Sequence, residues 1–203
     1  RRAQNAQLKV IALTGSSGKT TTKEMLGSIL SRLAPTLITR GNLNNDLGVP
    51  MMLLELRAEH QYAVMELGAS HQGEIDYTSH LVQPQVAGII NIGTAHLGEF
   101  GGRDGICRAK SEIYAHIAKT GISIVPAEDD FNAEIKQAVQ TEQTLSFGNG
   151  GDIFATDIEL LAQSAQFTLN TPQGSCLVNL PFAGLHNVAN ATAATAFALA
   201  IGI

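Results

Sequence analysis

Residues 10–21 constrain the fold of this chain most, because an apolar strand pattern there runs directly into a short Gly/Ser loop and then into Lys-Thr-Thr. A strand, a tight turn and a helix start direct backbone N–H groups at an anion. The Lys19 ammonium can reach terminal phosphates, and the Thr20 hydroxyl can bind Mg²⁺. One position departs from the pattern GxxxxGK(S/T), since Leu13 stands where the first glycine would be. We predict a phosphate-binding loop rather than a purely structural glycine turn.

Composition and charge limit the classes of protein to which this chain can belong. A chain of 203 residues with 44% hydrophobic residues can bury a sizeable core in one large α/β domain or a domain and a half. The net charge of −5 argues against a nucleic-acid surface, which would be basic. No apolar run approaches the roughly 20 residues of a membrane span, and no signal peptide is visible. Cys107 and Cys176 lie far apart without metal-ligand spacing, so we expect small apolar residues of a reducing, cytoplasmic compartment.

Apolar runs alternate with amphipathic stretches along the first 140 or so residues. Strands are predicted at residues 8–14, 36–39, 62–67, 86–92 and 122–125, and helices at residues 20–33, 74–81, 103–118, 130–139 and 185–200. Nearly continuous apolar strands that alternate with helices are typical of a mostly parallel sheet with both faces covered. We therefore predict an α/β fold, a P-loop-type, mostly parallel sheet flanked by helices.

The pattern changes after about residue 144, where apolar and polar residues alternate one by one. Residues 165–169 and 176–180 flank a turn at 171–174, which predicts a β-hairpin with one face in water. Residues 152–160 are predicted as a third strand, so the small antiparallel region spans about 150–181. The chain begins at Arg1 rather than at a methionine and ends on an apolar helix, and we expect residues 1–203 to be one domain of a longer protein.

Polar side chains follow three of the predicted parallel strands. Ligands of an open α/β sheet bind outside the carboxyl ends of its strands, so these side chains should converge with the P-loop. Glu66 ends an apolar strand, where a buried carboxylate needs a cation, and we favour Mg²⁺ over a surface lysine or water. Asn91, Thr94 and His96 follow the strand at 86–92. A histidine there is either a metal or phosphate ligand or a hydrogen-bonded structural residue.

Lys110 falls on the apolar face of the predicted helix 103–118, four residues after Ile106 and three before Ile113. A lysine there extends to water, pairs with an acid or is modified. A partly buried lysine can lose its proton, and the neutral amine can react with carbon dioxide to form a carbamate, an anionic Mg²⁺ ligand. Asn187 and Asn190 share one face of the last helix, where amides either bind adenine or cap the helix.

Four stretches of the chain together resemble the central, ATP-binding domain of the Mur ligases, and the resemblance covers almost all of the chain. They are TGSSGKT at residues 14–20, GNLNNDLGVP at 41–50, ELGASHQGEI at 66–75 and AKSEI at 109–113. The P-loop of this family lacks the first Walker glycine, which accounts for Leu13. The third stretch is the most discriminating and resembles one branch of the family. The family often has glycine where Ser111 stands, a change that leaves Lys110 in place.

The resemblance implies ATP and Mg²⁺ as cofactors. It implies catalytic roles for Lys19, Glu66, His96 and Lys110. Mg²⁺ would be bound by Thr20 and Glu66, and a second Mg²⁺ by His96 and a carbamylated Lys110. Asn44 and Asn45 would lie beside a muramoyl-peptide substrate. The ATP-binding residues would be Thr14, Gly15, Ser16, Ser17, Gly18, Lys19, Thr20, Thr21, Asn187 and Asn190.

The resemblance also implies a reaction, the joining of D-alanyl-D-alanine to UDP-N-acetylmuramoyl-tripeptide through an acyl phosphate in bacterial peptidoglycan precursor synthesis. The family has an N-terminal UDP-binding domain and a C-terminal Rossmann-like domain that this chain does not contain, so we expect the chain alone not to ligate. Three alternatives are a sister ligase such as folylpolyglutamate synthetase, a P-loop switch or motor, and a nucleotide-binding module without chemistry. Leu13 and the position of Lys110 argue against a switch.

Overall fold

The computed structural model describes residues 7–95 and 97–203, which form a parallel sheet, a smaller antiparallel sheet and helices around them. The strands are β1 (Lys9–Thr14), β2 (Thr36–Ile38), β3 (Tyr62–Glu66), β4 (Val86–Ile89), β5 (Ile122–Pro126), β6 (Gln143–Phe147), β7 (Phe154–Leu160), β8 (Ala165–Thr171) and β9 (Gly174–Leu180). The helices are α1 (Lys19–Ser31), α2 (Gly48–Leu54), α3 (Glu74–Val82), α4 (Leu97–Phe100), α5 (Arg103–Ser111), α6 (Asn132–Ala138) and α7 (Leu185–Ala200).

The parallel sheet has β1 near its middle. Its six strands lie in the order β2-β3-β1-β4-β5-β6, so β3 and β4 flank β1. The registers place Leu13 opposite Glu66 of β3 and Gly88 of β4. The carboxyl ends of these three strands are therefore adjacent, and the segments that follow them meet at one edge of the sheet. The predicted parallel architecture is confirmed, and it brings the P-loop next to Glu66.

Both faces of the parallel sheet are buried, which explains why its strands are apolar almost without interruption. Val10 and Ala12 of β1 belong to a core that includes residues of α2, α3, α5 and α6. Ile11 and Leu13 belong to a second core with residues of α1 and α7. Successive side chains of a strand point to opposite faces, so each strand contributes to two cores. One core therefore lies on each side of the sheet.

The antiparallel sheet has the order β7-β8-β9 and packs against α7. In β8, Ala165, Phe167 and Leu169 are buried, and the residues between them are partly exposed. Most of β9 is exposed, including Leu177 at 62%. This arrangement confirms the predicted hairpin with one face in water, and β7 is the predicted third strand.

Four regions differ from the expectation, and one of them is the short helix α4, where no helix is predicted. A sixth parallel strand, β6, pairs with β5 at the edge of the sheet. A short helix, α2, follows the loop at residues 41–46. The helix expected at 103–118 instead ends at Ser111 and is followed by a 3-10 turn, Glu112–Tyr114. The turn lets Tyr114 reach between β4 and β5, where its hydroxyl donates to the Ile124 carbonyl at 2.7 Å.

Both cysteines are free thiols, but their surroundings differ. Cys107 is buried in α5, and burial raises the pKa of its thiol. Cys176 is exposed on β9. Within residues 7–95 and 97–203, no helix is long and apolar enough to cross a lipid bilayer.

Candidate functional site

The loop between β1 and α1 brings together a glycine turn, a lysine and a helix N-terminus. Gly18 precedes α1 with a φ of 76°, a left-handed conformation that favours glycine. A β-carbon at Gly18 would overlap the side-chain oxygen of Asn190 from α7. The Lys19 ammonium donates to the Gly15 carbonyl at 2.8 Å, which keeps the cation beside the loop. The first N–H groups of α1 have no partner within the helix and can bind an anion.

Residues 90–93, which follow β4, hold this loop from the side. The side-chain oxygen of Asn91 accepts hydrogen bonds from the backbone N–H groups of Ser16 at 3.2 Å and Ser17 at 3.0 Å. The Gly93 N–H donates to the Ser16 hydroxyl at 2.8 Å. The ends of β1 and β4 are thus joined through the P-loop itself, as their neighbouring positions in the sheet require.

Glu66 is a buried carboxylate with partners from several elements. It is 1% exposed, and its backbone N–H donates to the Thr39 hydroxyl at 2.9 Å. The Thr20 hydroxyl donates to one carboxylate oxygen at 3.1 Å, and the Asn44 amide donates to the other at 2.7 Å. The predicted pair Thr20 and Glu66 therefore meets, and Asn44 holds the same carboxylate.

Lys23 is a component of the site that sequence reasoning missed. Its side chain is completely buried, and its ammonium donates to the Thr39 carbonyl at 2.7 Å. The same ammonium lies 3.0 Å from the Glu24 carboxylate and 3.8 Å from that of Glu66. The signal was present in the sequence, because Lys23 is four residues after Lys19 and falls on the same face of α1.

Lys110 is buried at the same end of the sheet, with 4% of its surface exposed. Among the described residues, its amine makes no hydrogen bond and no ion pair. Burial, together with the charge of Lys19, lowers the pKa of Lys110 to about 8. Burial also lowers the pKa of Lys19, although the Glu66 carboxylate opposes that shift. Lys19 and Lys23 therefore act on the one buried Glu66 carboxylate, and Lys19 also acts on Lys110. This excess of positive charge favours a polyphosphate ligand.

A cavity of about 480 Å³ opens beside the P-loop. It lies between the loop after β5 and the start of α7, with Asn190 and His186 on the α7 side. Its lining residues are Ser17, Gly18, Ile90, Asn91, Pro126, Glu128, Asp129, Phe147, His186, Ala189 and Asn190. Polar groups that surround apolar walls next to a phosphate-binding loop suit a nucleoside.

Asn187 and Asn190, expected to act together, have different surroundings. Asn190 is buried and accepts a long hydrogen bond of 3.4 Å from the Thr22 hydroxyl. The Asn187 amide donates to the Ala183 carbonyl at 2.8 Å and is not among the residues that line the cavity. The Asn187 bond is not the expected cap, because in an N-cap a side-chain oxygen accepts from a backbone N–H, and Gly184 precedes α7 without a side-chain cap. Asn190 faces the P-loop.

The remaining candidates that the structure describes make contacts of different kinds. The Asn45 side chain accepts from the Gly48 N–H at 2.8 Å at the start of α2. The buried Thr14 hydroxyl has no hydrogen-bond partner among the described residues. Thr21 lines a different cavity, on the α7 side of α1. His96 lies outside the described residues, and its proposed role stays a prediction.

Glu112 connects two of the stretches that carry the family resemblance. One of its carboxylate oxygens accepts from the Gly73 N–H at 2.8 Å, and the other accepts from the Asp76 N–H at 3.0 Å. A carboxylate is favourable at a helix N-terminus, so Glu112 stabilises the start of α3. This contact joins the end of α5, which carries Lys110, to the segment that follows Glu66. Sequence reasoning assigned Glu112 no role.

A second cavity, of about 700 Å³, lies between α1, α7 and the antiparallel sheet. Its lining is mostly apolar, with Phe167, Leu169 and Phe182 among the larger side chains. Among the described residues, no lysine or arginine lines this second cavity. A nucleotide triphosphate needs cations, so the smaller, polar cavity beside Lys19 is the better candidate.

Comparison with known proteins relates the chain to one family. A family model described as the Mur ligase middle domain matches residues 13–198. The chain is 48% identical to the UDP-N-acetylmuramoyl-tripeptide–D-alanyl-D-alanine ligase of Haemophilus influenzae, over 96% of this chain and 43% of that protein. A crystal structure of MurF from Acinetobacter baumannii is similar over 100% of this chain and 45% of that one, with 81% identity and a TM-score of 0.98.

A more distant solved structure carries a nucleotide. MurF from Thermotoga maritima, in complex with ADP, is similar over 96% of this chain and 45% of that one, with 31% identity and a TM-score of 0.86. In each of these comparisons the chain spans less than half the length of the protein it matches.

Proposed function

The chain belongs to the Mur ligase family as its middle domain, and from this premise we propose that it is the ATP-binding core of an ATP-dependent ligase. The proposed reaction joins D-alanyl-D-alanine to UDP-N-acetylmuramoyl-tripeptide in the cytoplasm, as a step of peptidoglycan precursor synthesis. The names of the similar proteins support this substrate assignment. We further propose that an N-terminal UDP-binding domain and a C-terminal Rossmann-like domain complete the protein.

One observation carries the proposal, the convergence of Lys19, Glu66 and Lys110 at the carboxyl edge of the parallel sheet. These three residues come from α1, β3 and α5, which are far apart in sequence. Glu66 is held by Thr20, and the charge of Lys19 acts on Lys110. A nucleotide-binding module without chemistry needs the P-loop but offers no reason for a buried lysine that has no ion pair within residues 7–95 and 97–203. A P-loop switch offers no reason for one either.

The residues present fit Mg²⁺. Magnesium prefers hard oxygen ligands, usually one or two carboxylates together with phosphate oxygens. The Glu66 carboxylate and the Thr20 hydroxyl are 3.1 Å apart and lie beside the phosphate-binding loop. The buried Thr14 hydroxyl has no hydrogen-bond partner among the described residues and is a further oxygen close to this loop. When bound by these residues, Mg²⁺ would neutralise charge on the transferred phosphoryl group.

Lys110 would supply a second anionic ligand after modification. The Lys110 ammonium would first lose one proton to water. The neutral amine would then attack carbon dioxide, a new N–C bond would form as one C=O π bond opens, and a second proton would leave to water, which gives a carbamate anion. A pKa of about 8 makes the neutral amine far more abundant than at an ordinary lysine. His96 would be the neighbouring ligand, as the family resemblance implies.

The other residues of the site would hold and orient the substrates. Lys19 and the N–H groups that begin α1 would bind the ATP phosphates, and the cavity beside Asn190 would bind the nucleoside. The tripeptide carboxylate would accept the γ-phosphoryl group, which forms an acyl phosphate and ADP. The amine of D-alanyl-D-alanine would then attack the acyl carbon, and phosphate would leave. The barrier is mainly electrostatic, because two anions must meet.

The test is ATP-dependent phosphate release by the intact protein with UDP-N-acetylmuramoyl-tripeptide, with and without D-alanyl-D-alanine. We expect full release to need both substrates. The variant Lys19→Met should lose release, and the matched variant Lys136→Met, on the exposed face of α6, should retain it. Release that is indifferent to both substrates would contradict the proposal. The 203-residue chain alone should bind ADP without forming the peptide bond.

A sister ligase, such as a folylpolyglutamate synthetase, remains the alternative with the same chemistry at a different substrate. Such an enzyme would also need Lys19, Glu66 and Lys110. Offering folate and glutamate in place of the muramoyl-peptide and dipeptide separates the two functions. We expect no phosphate release with that pair.

A further inference from the structure

Asn91 makes more contacts with the P-loop than any role described above requires. Its side-chain oxygen accepts from the N–H groups of Ser16 and Ser17, at 3.2 and 3.0 Å. Its side-chain N–H group donates to the Ser17 carbonyl at 3.0 Å. Its backbone carbonyl also accepts from the Ser16 N–H at 3.1 Å. One asparagine at the end of β4 therefore binds both donors and acceptors of the loop.

The departure at Leu13 explains why the loop needs this support. Leu13 is completely buried and pairs with Glu66 and Gly88 inside the sheet, so β1 continues through the position of the usual first glycine. Only residues 15–18 remain between β1 and α1. A loop that lacks its first turn glycine has less freedom to wrap around phosphates by itself.

We propose that Asn91 is a positioning residue that pre-forms the phosphate-binding loop in place of the missing glycine. It ties Ser16 and Ser17 to β4, so the loop has its binding conformation before a nucleotide arrives. This inference rests on the proposed function, since it concerns the same nucleotide site. It adds a residue to which neither the sequence motif nor the family resemblance assigned a role.

The segment that carries Asn91 is itself held on two sides. The N–H group of Ile92 donates to the Asp129 carboxylate at 2.7 Å, and the Ile92 carbonyl accepts from the Arg103 guanidinium at 2.8 Å. Arg103 also lies over the ring of Phe131, with 5.0 Å from its central carbon to the ring centre. These contacts come from the loop after β5 and from α5. Asn91 is therefore attached to a rigid base, as a positioning residue must be.

An amide suits this position better than a carboxylate. Aspartate can accept the same two N–H bonds, but it cannot donate to the Ser17 carbonyl, and it would put a negative charge beside the bound phosphates. Alanine would leave the loop unsupported without adding charge. The two substitutions therefore separate support of the loop from repulsion of the phosphates.

The experiment measures binding of ADP and of adenosine to the intact protein by ligand-observed NMR, with the variants Asn91→Ala and Asn91→Asp. Asn91→Ala should weaken ADP about 10-fold, and Asn91→Asp about 100-fold, because charge repulsion adds to the lost support. Asn91 also lines the cavity proposed for the nucleoside, so adenosine can lose affinity too, but adenosine has no phosphate and its loss should be smaller than that of ADP in both variants. Asn170→Ala and Asn170→Asp, in the antiparallel sheet, are matched controls that should leave both affinities unchanged.

Several results would overturn the inference. If Asn91 only blocked N–H groups that phosphates otherwise take, Asn91→Ala would bind ADP as tightly as the unchanged protein or more tightly. Equal losses of ADP and adenosine would indicate a general structural role. If the unchanged protein binds no ADP, the proposed function itself fails, which distinguishes the two failures.

Discussion

Replacement of Lys110 by methionine should stabilise the protein while it abolishes the proposed activity. The pKa of Lys110 is about 8, against an ordinary 10.5, because the charged amine is buried near Lys19. This difference corresponds to about 3 kcal/mol of destabilisation at pH 7. Methionine is similar in length and carries no charge, so Lys110→Met should raise the free energy of unfolding by about that amount.

The pH dependence of this gain has a definite sign. The pKa is lower in the folded protein, so the unfolded chain binds more protons between about pH 8 and pH 10.5. The full cost of burying the charged amine is present below pH 8 and disappears as the pH rises to 10.5. The advantage of Lys110→Met should therefore fall from about 3 kcal/mol at pH 7 to about 1 kcal/mol at pH 9.5.

The assay is urea denaturation of both proteins at the two pH values, without nucleotide and in buffer depleted of carbon dioxide, so that the amine stays unmodified. Lys136→Met, on an exposed position of α6, is the control and should change stability by less than about 0.5 kcal/mol. A Lys110→Met protein that is no more stable at pH 7 would refute the reasoning. A gain that does not shrink with pH would refute it as well.

Three further predictions concern other residues of the site and the core. Gly18→Ala should weaken ADP at least about 10-fold in a titration, because its φ of 76° disfavours a side chain and the new β-carbon would meet Asn190. Tyr114→Phe leaves the Ile124 carbonyl without its donor, so the free energy of unfolding should fall by about 1–3 kcal/mol, while KM for ATP stays unchanged. Glu66→Gln should raise the Mg²⁺ concentration for half-maximal activity at least about 10-fold, whereas metal-free ADP binding should not weaken, since a negative charge has been removed.

Residues whose role depends on a local pattern could be predicted from the sequence. The strand, loop and helix at residues 10–21 are contiguous, so their order alone predicts the phosphate-binding loop. The apolar positions around Lys110 repeat with the period of a helix, and that repeat correctly predicts a buried lysine. Apolar and polar residues alternate one by one along β8, and this alternation likewise predicts a strand with one exposed face.

Contacts between distant segments could not be predicted in the same way. The helical spacing of Lys23 from Lys19 and the place of Asn91 after β4 indicate a position near the P-loop, but they do not identify the partners of these residues. Lys23, Asn91 and Glu112 each act on a residue at least 36 positions away. The same is true of β6, whose place at the sheet edge depends on pairing with β5. For Asn187 the local pattern was misleading. Asn187 and Asn190 share one face of the predicted helix, so both were expected beside adenine, but only Asn190 lines the cavity beside the P-loop.

The sequence by itself therefore determined the fold class, the phosphate-binding loop and the chemical types of side chain at the edge of the sheet. Only the tertiary structure decided that Lys23 and Asn44 share the Glu66 carboxylate and that Asn91 supports the loop. The physical reason is range: hydrophobic periodicity and turn chemistry act over a few neighbouring residues, whereas the partner of a buried charge is whichever group the packing of helices and strands brings within a few ångströms.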